Sequence, residues 1–281
     1  MEFLKSCFYW VSSLVSTNAK FSSTGSLLPS EQHVQVSLDR VQKRLVIIGD
    51  IHGCLDELKT LLEKIKFDAT TTTLVSVGDM IVKGPNSVEV VRFVRSLPQG
   101  SFLAVRGNHE DNVLLARFKP EGKYGRKEEF KFAKNFNDDE LEWLRQLPVS
   151  ITFPELGLSV VHAGVDPTKV KTPIKNQDFS DLIRIRCVDR EGNTSKKDPD
   201  EGKRQSWASM YQGPPLIVFG HDAKRKLQIH PWARGLDTGC VYGGALTALV
   251  IGDTRDVHGW IEGAEIVSVP AARVYLQKDD D

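Results

Sequence analysis

Three short apolar runs constrain this chain more than any other feature, because each ends in glycine plus a polar residue and then passes into an amphipathic stretch. Leu45-Val46-Ile47-Ile48 is continuous and largely β-branched, and it ends in Gly49-Asp50. From Cys54 to Ile65, residues Leu55, Leu58, Leu61, Leu62 and Ile65 share one helical face. Thr73-Leu74-Val75-Ser76-Val77 repeats the strand texture, ends in Gly78-Asp79, and precedes a helix expected over Ser87 to Leu97. Phe102-Leu103-Ala104-Val105 leads through Gly107-Asn108 into a helix from His109. This βαβαβ order predicts an α/β fold with parallel strands, right-handed crossovers and helices covering a sheet face. Sites in open α/β sheets lie at the carboxyl ends of strands, so these tips should converge.

The rest of the chain is less regular. Helices are expected over Lys127 to Phe136 and Asp138 to Leu147, the second capped by Asp138. After Pro148, apolar runs predict strands at Ser150–Phe153, Leu158–Val161, Leu216–Phe219, Ala245–Ile251 and His258–Val267. Arg190 to Arg204 is charged and interrupted by Gly and Pro, and reads as a mobile surface loop. Phe3 to Val15 has helical apolar spacing but is too short and interrupted to span a bilayer. Ser16 to Gln35 is rich in Ser, Thr and Gly and reads as a flexible connector. The expected organisation is an amphipathic segment and linker over 1–40, one catalytic domain over 41–270, and a polar acidic tail over 271–281.

Five strand ends carry residues that can bind metal. They are Gly49-Asp50-Ile51-His52-Gly53, Gly78-Asp79-Met80, Gly107-Asn108-His109-Glu110, Val161-His162-Ala163-Gly164 and Phe219-Gly220-His221-Asp222. One Gly-Asp after a strand is an ordinary turn or helix cap. Five such sites in order are hard to explain that way, and they hold four of the seven histidines. His33, His230 and His258 are left as ordinary core or surface residues. Carboxylate, amide oxygen and imidazole suit two divalent ions of the Mn, Fe, Zn or Co kind, with Mg a poorer fit. Cys7, Cys54, Cys187 and Cys240 are scattered without a C-x-x-C pair, and read as reduced thiols of an intracellular protein. The cytoplasm is the expected address, with a vacuole or other endomembrane compartment as the alternative. Lys+Arg and Asp+Glu both number 37, so net charge is zero, which argues against binding duplex nucleic acid or an anionic membrane by bulk attraction.

In this combination the chain resembles the calcineurin-like metallophosphoesterase superfamily, whose signature is D-x-H, then G-D, then G-N-H-E, then two later histidines. The resemblance runs from about Arg44 to Val267. It implies a central β-sandwich of mixed sheets flanked by helices, with two metals at the strand ends. Asp50 and His52 would hold one metal, Asp79 would bridge both, and Asn108, His162 and His221 would hold the second. Two cations about 3.5–4 Å apart can share a hydroxide and clamp phosphoryl oxygens for in-line attack. His109 would act as general acid, partnered by Glu110.

The segment Gly78-Asp79-Met80-Ile81-Val82-Lys83-Gly84-Pro85 selects a branch. Protein serine/threonine phosphatases have Asp where Val82 stands and Arg where Lys83 stands. The changed pair, with Arg184-Ile185-Arg186 and the stretch Gly235 to Thr247, looks like the ApaH-like phosphatases, relatives of diadenosine tetraphosphatase. The lysine version is similar to eukaryotic members, including fungal endopolyphosphatases. An Asp that orients the catalytic His helps protonate a serine alkoxide, and Val82 cannot do this. A phosphate leaving group, with a relevant pKa of about 6, departs more readily. The expected activity is therefore metal-dependent hydrolysis of phosphoanhydride bonds in dinucleoside polyphosphates, inorganic polyphosphate or a nucleotide cap. The alternative is a protein serine/threonine phosphatase. Lys83, Arg106, Arg184 and Arg186 are the expected phosphate contacts. Phe118, Tyr124, Trp207, Trp232 and Tyr242 are candidate base platforms or core residues. Lys196, Lys197, Lys203 and Arg204 could form a basic track or a solvated loop.

Overall fold

The computed structural model describes residues 21–22, 25–197, 203–255 and 259–277. The helix expected over Phe3 to Val15 and the acidic Lys278–Asp281 end lie outside the described residues. In chain order come β1 (His33–Gln35), β2 (Arg44–Ile48), helix α1 (Leu55–Lys64), β3 (Thr72–Ser76), α2 (Ser87–Ser96), β4 (Phe102–Ala104) and α3 (Asn108–Phe118). A run of 3-10 turns over Glu128–Asn135 and helix α4 (Asp138–Gln146) lead to β5 (Ser150–Phe153) and β6 (Leu158–Val161). Then follow α5 (Phe179–Arg184), β7 (Cys187–Asp189), β8 (Thr194–Ser195), β9 (Arg204–Ser206) and the single turn α6 (Trp207–Met210). The remaining strands are β10 (Leu216–Phe219), β11 (Gln228–His230), β12 (Ala233–Gly235), β13 (Ala245–Ile251) and β14 (Glu265–Pro270).

Two mixed sheets form the centre. One has the order β14-β13-β2-β3-β4, with β2, β3 and β4 parallel, and the other runs β1-β5-β6-β10-β12-β11. Successive strand side chains point to opposite faces, so a continuous apolar run must be covered on both sides. In β2, Leu45 and Ile47 pack against Val160, Leu216 and Val218 of the other sheet. Val46 and Ile48 instead join Leu58, Leu61 and Leu62 of α1. The second sheet divides likewise, with Ile217 and Phe219 turned towards Trp207, Leu182 and Ile183. The result is helix, sheet, sheet, helix. Each fully buried aliphatic side chain contributes about 1.5–3 kcal/mol, so these alternating faces fix the layering.

Several local expectations needed correction. The cap of α4 is Asn137 rather than Asp138: its side chain accepts the Glu140 N–H at 2.8 Å, and Glu140 accepts the Asn137 N–H at 2.8 Å. Asn137 keeps the extended backbone a cap requires, whereas Asp138 is already helical. Residues 128–135 wind as 3-10 rather than α-helix. The last strand starts at Glu265, because Gly259 to Ala264 is occupied by turns, and His258 lies outside the described residues. The segment read as a mobile loop contributes β8 and the start of β9, which pair on either side of β7. Within the segment read as a connector, β1 pairs in parallel with β5 at the edge of its sheet. An edge strand needs few apolar residues, so His33-Val34-Gln35 carried little strand signal. Strands β11 and β12 were missed because three residues give no usable period.

Candidate active site

The tips of β2, β3, β6 and β10, with the N-terminus of α3, bring seven predicted residues together. The Nε2 of His52 lies 3.7 Å from Asp79 Oδ2 and 3.9 Å from Asp50 Oδ2. On the other side of Asp79, His162 Nε2 is 3.4 Å from the same Oδ2 and 3.0 Å from Asn108 Oδ1. His109 Nε2 stands 3.9 Å from Asp79 Oδ2. Two groups of donor atoms suited to a cation share Asp79, one with His52 and His109, the other with His162 and His221. Asp50 is tied in through its oxygens, which accept the His221 backbone N–H at 3.1 Å.

The backbone is built for this crowding. His52, Asp79, Val82, Lys83 and His221 all have positive φ, between 46° and 73°. Such conformations are costly for residues with a Cβ, above all for β-branched Val82, and gather where function over-determines the chain. Glycine is required at two contacts. A Cβ on Gly107 would sit 2.2 Å from Asp79 Oδ1, and one on Gly220 would sit 1.9 Å from Asp50 Oδ1. Glu110 ties the turns together by accepting the N–H groups of Asp79 (2.8 Å), Met80 (2.8 Å) and Gly107 (2.9 Å).

The electrostatics favour cation binding. Burial pushes the Asp50 carboxyl well up, with the nearby charges of Asp237 and Asp79 adding to the effect. Burial opposes ionisation of Asp79 too, but His162 and His109 outweigh it and hold that carboxyl well below the usual range. Burial and the Lys83 charge lower His52 to about 3, and burial lowers His109 and His221 well below 6.5. These imidazoles are neutral, the form that binds metal. The Nε2 of His221 and Nδ1 of His109 are buried without a hydrogen-bond partner. Imidazole nitrogens gathered around Asp79, with the Asn108 amide oxygen beside His162, fit a pair of borderline divalent ions.

The predicted phosphate contacts separate. Lys83 Nζ lies 2.9 Å from His52 Nε2 and 5.3 Å from the Tyr242 ring centroid, at the mouth of the cluster. Arg184 donates to Asn112 Oδ1 at 2.9 Å and Asp111 Oδ2 at 3.2 Å, on α3. Arg186 donates to Asp222 Oδ1 at 3.2 Å, next to His221. Arg106 is not brought to the cluster. It is fully buried, donates to the carbonyls of Leu27 (2.9 Å) and Arg145, and pairs with Asp111 at 3.6 Å. Of the aromatic candidates, Tyr242 stands beside Lys83, whereas Trp207 is core and donates to the Ala163 carbonyl. Phe118, Tyr124 and Trp232 are half-buried against the hydrophobic clusters. Lys196 and Lys197 are exposed beside β8.

Sequence reasoning missed Asp237, buried close enough to Asp50 and Lys83 to shift Asp50 upwards. Its signal was a sixth strand end with a polar residue near glycine, Gly235-Leu236-Asp237 just after β12, inside a segment read only for its resemblance. A cavity of about 330 Å³ also opens at Lys83, walled by Pro85, Glu129, Phe132, Asn135 and Leu276. Among the described residues no helix is long and apolar enough to cross a membrane.

Comparison with known proteins agrees with this arrangement. A family model for calcineurin-like phosphoesterases matches residues 43–257. The chain is 32% identical over 225 residues to the asymmetrical bis(5'-nucleosyl)-tetraphosphatase of Halalkalibacterium halodurans, covering 72% of this chain and 88% of that protein. It is 31% identical over 256 residues to the symmetrical bis(5'-nucleosyl)-tetraphosphatase of Coxiella burnetii, covering 72% and 87%. A crystal structure described as a candidate diadenosine tetraphosphatase superposes with a TM-score of 0.70 at 32% identity, covering 86% of this chain and 98% of that one. A protein serine/threonine phosphatase from Saccharomyces cerevisiae shares the fold, with a TM-score of 0.55 at 15% identity.

Proposed function

The chain belongs to the calcineurin-like phosphoesterase family and is a metal-dependent phosphohydrolase, and from that premise we propose that it cleaves phosphoanhydride bonds in dinucleoside polyphosphates. The observation that carries this reading is His109, whose buried Nδ1 finds no acceptor. A buried histidine held neutral and without an orienting carboxylate is a poor general acid. It suffices for a leaving phosphate of pKa about 6 and falls short for an alkoxide. Sequence relatedness to the two bis(5'-nucleosyl)-tetraphosphatases supports the same choice over the alternative, a protein serine/threonine phosphatase.

Asp50, His52 and Asp79 would hold one divalent ion, and Asp79, Asn108, His162 and His221 the other. Bound there, two such ions supply Lewis-acid activation of the attacking water and neutralise charge on the phosphoryl group. Manganese, iron, zinc or cobalt fits this donor set. Glu110 holds the Asp79 and Asn108 turns in register through its three backbone contacts. Lys83 meets the non-bridging phosphate oxygens as a point charge, and Arg184 and Arg186 bind further phosphates as forked donors. His109, 3.9 Å from Asp79, stands as a neutral hydrogen-bonding group for the departing phosphate oxygen, a leaving group of pKa about 6 that needs little proton transfer to depart.

The cavity beside Lys83 favours a nucleoside end over bare polyphosphate. Its volume lies within the range of small-molecule sites, and Phe132 and Leu276 offer apolar walls that an inorganic chain would not use. A reducing, cytoplasmic setting fits Cys54, Cys187 and Cys240, which are buried and outside any disulfide among the described residues. The test is phosphate and nucleotide release from diadenosine tetraphosphate, inorganic polyphosphate and a phosphopeptide, each across Mn, Co, Zn and Mg. Diadenosine tetraphosphate should give the highest kcat/KM. A protein that leaves both anhydride substrates intact while dephosphorylating the peptide would refute the reading.

A further inference from the structure

We infer that Cys54, Glu57 and Cys240 form a third metal site, separate from the catalytic cluster and selective for a thiophilic divalent cation of the zinc kind. Cys54 precedes α1, Glu57 lies in its first turn, and Cys240 opens a 3-10 turn that runs to Tyr242. All three are nearly inaccessible, at 1%, 3% and 2% exposure, and one ligand atom of each lies within 4.8 Å of the other two. Zinc–sulfur bonds of about 2.3 Å set ligand spacings of about 3.8 Å in a tetrahedron, so closing on an ion requires movements of about 1 Å.

Glu57 supplies the independent sign of a ligand. Its Oε1 is used, accepting the Ala272 N–H at 2.9 Å and the Tyr275 hydroxyl at 2.8 Å. Its Oε2 is buried and has no hydrogen-bond partner. A buried carboxylate oxygen left unpaired costs several kcal/mol unless a cation or donor meets it. Cys54 and Cys240 belong to the same buried apolar cluster as Val241, Leu58 and Leu61. Two thiols and the Glu57 carboxylate therefore meet within a largely apolar core. The donors differ in kind from the catalytic cluster: two sulfurs select zinc over manganese or magnesium, whereas imidazole and carboxylate do not. The fourth position falls to water or to the His52 carbonyl, 3.9 Å from Cys54 Sγ.

An ion there would staple two loops that shape the catalytic site. His52 lies two residues before Cys54, and Tyr242, under Lys83, lies two after Cys240. The test loads the metal-stripped full chain with excess manganese and then titrates cadmium, reading the thiolate-to-cadmium charge-transfer absorption that His and Asp ligands cannot produce. One equivalent should saturate the band. Cys54→Ser and Cys240→Ser should each abolish it, and Cys187→Ser should keep it. Glu57→Gln should keep the band but weaken competing zinc binding about tenfold or more, a readout that survives if the serine variants do not fold. Absence of the band in the native chain would overturn the site. So would its loss in Cys187→Ser, or a native mass two hydrogens lighter showing a Cys54–Cys240 disulfide. None of these readings depends on turnover, so loss of the anhydrase reading would leave this test intact.

Discussion

Replacing Glu110 with alanine should leave the metal-free protein about 2–6 kcal/mol less stable than replacing it with glutamine, because alanine strands two more buried donors. Glu110 is fully buried, and its two oxygens receive three backbone N–H groups: Asp79 and Gly107 on Oε2, Met80 on Oε1. Alanine strands all three donors, and a buried unpaired N–H costs about 1–3 kcal/mol. Glutamine keeps one oxygen for the Asp79 and Gly107 donors and turns its amide group against Met80, stranding one. Either substitution also removes an unfavourable charge. Burial, aided by the Asp79 charge, pushes the Glu110 carboxyl up from 4.5 to about 7, which corresponds to about 3 kcal/mol against the ionised form. Glutamine should therefore lie within about 2 kcal/mol of the native protein at pH 7. Urea denaturation followed by circular dichroism after chelation separates the cases. Two variants of equal stability would refute the view that Glu110 holds these turns through its acceptor oxygens.

Other consequences are as direct. Arg106→Met should cost about 3–5 kcal/mol, because it leaves Asp111 and two carbonyls short of a buried partner, yet KM in the folded protein should stay within about twofold. A large rise in KM at unchanged stability would return Arg106 to the substrate. Asp79→Asn should abolish turnover and lower metal content per chain while circular dichroism is preserved, and normal activity would refute the assignment of the shared ligand. Burial holds His33 below its usual pKa, with its Nδ1 2.9 Å from Ser150 Oγ. The unfolded chain therefore binds the proton first, and stability is lost as pH falls below about 6.5. Urea midpoints at pH 7.5 and 5.5 should draw apart less in His33→Gln, and an unchanged gap would exclude this histidine as a cause.

Much of the fold was legible because the relevant forces are local. Continuous apolar runs of four or five residues cannot remain exposed on either face, so β2, β3, β6, β10 and β13 were readable with near-correct ends. One-sided apolar spacing gave α1, α2 and α4. The short strands β1, β8, β9 and β11 were hidden because they sit at sheet edges, where partners rather than composition make the strand, and β12, though interior, because three residues carry no readable period. The small β7–β9 sheet arose inside a stretch whose charge pattern looked like free loop.

The candidate site divides the same way. Asp50, His52, Asp79, Asn108, His109, His162 and His221 stood out in the chain because each follows an apolar strand beside glycine, and strand ends are where an α/β architecture gathers its chemistry. What a long side chain does there is another matter. Arg106 and Lys83 have the same formal charge and each lies in the connection that follows a strand of one sheet, β4 and β3. One turns inward to Asp111 and two carbonyls, and the other outward to His52 and Tyr242. That choice rests on which elements lie on each side, and so does the meeting of Cys54 and Glu57 with Cys240, which come from opposite ends of the chain. The sequence by itself determined which backbone turns would carry polar ligands, since that follows from neighbours a few residues away. Only the tertiary structure decided which charges are buried, which are paired and which face a substrate, because those depend on contacts between segments with no local relation.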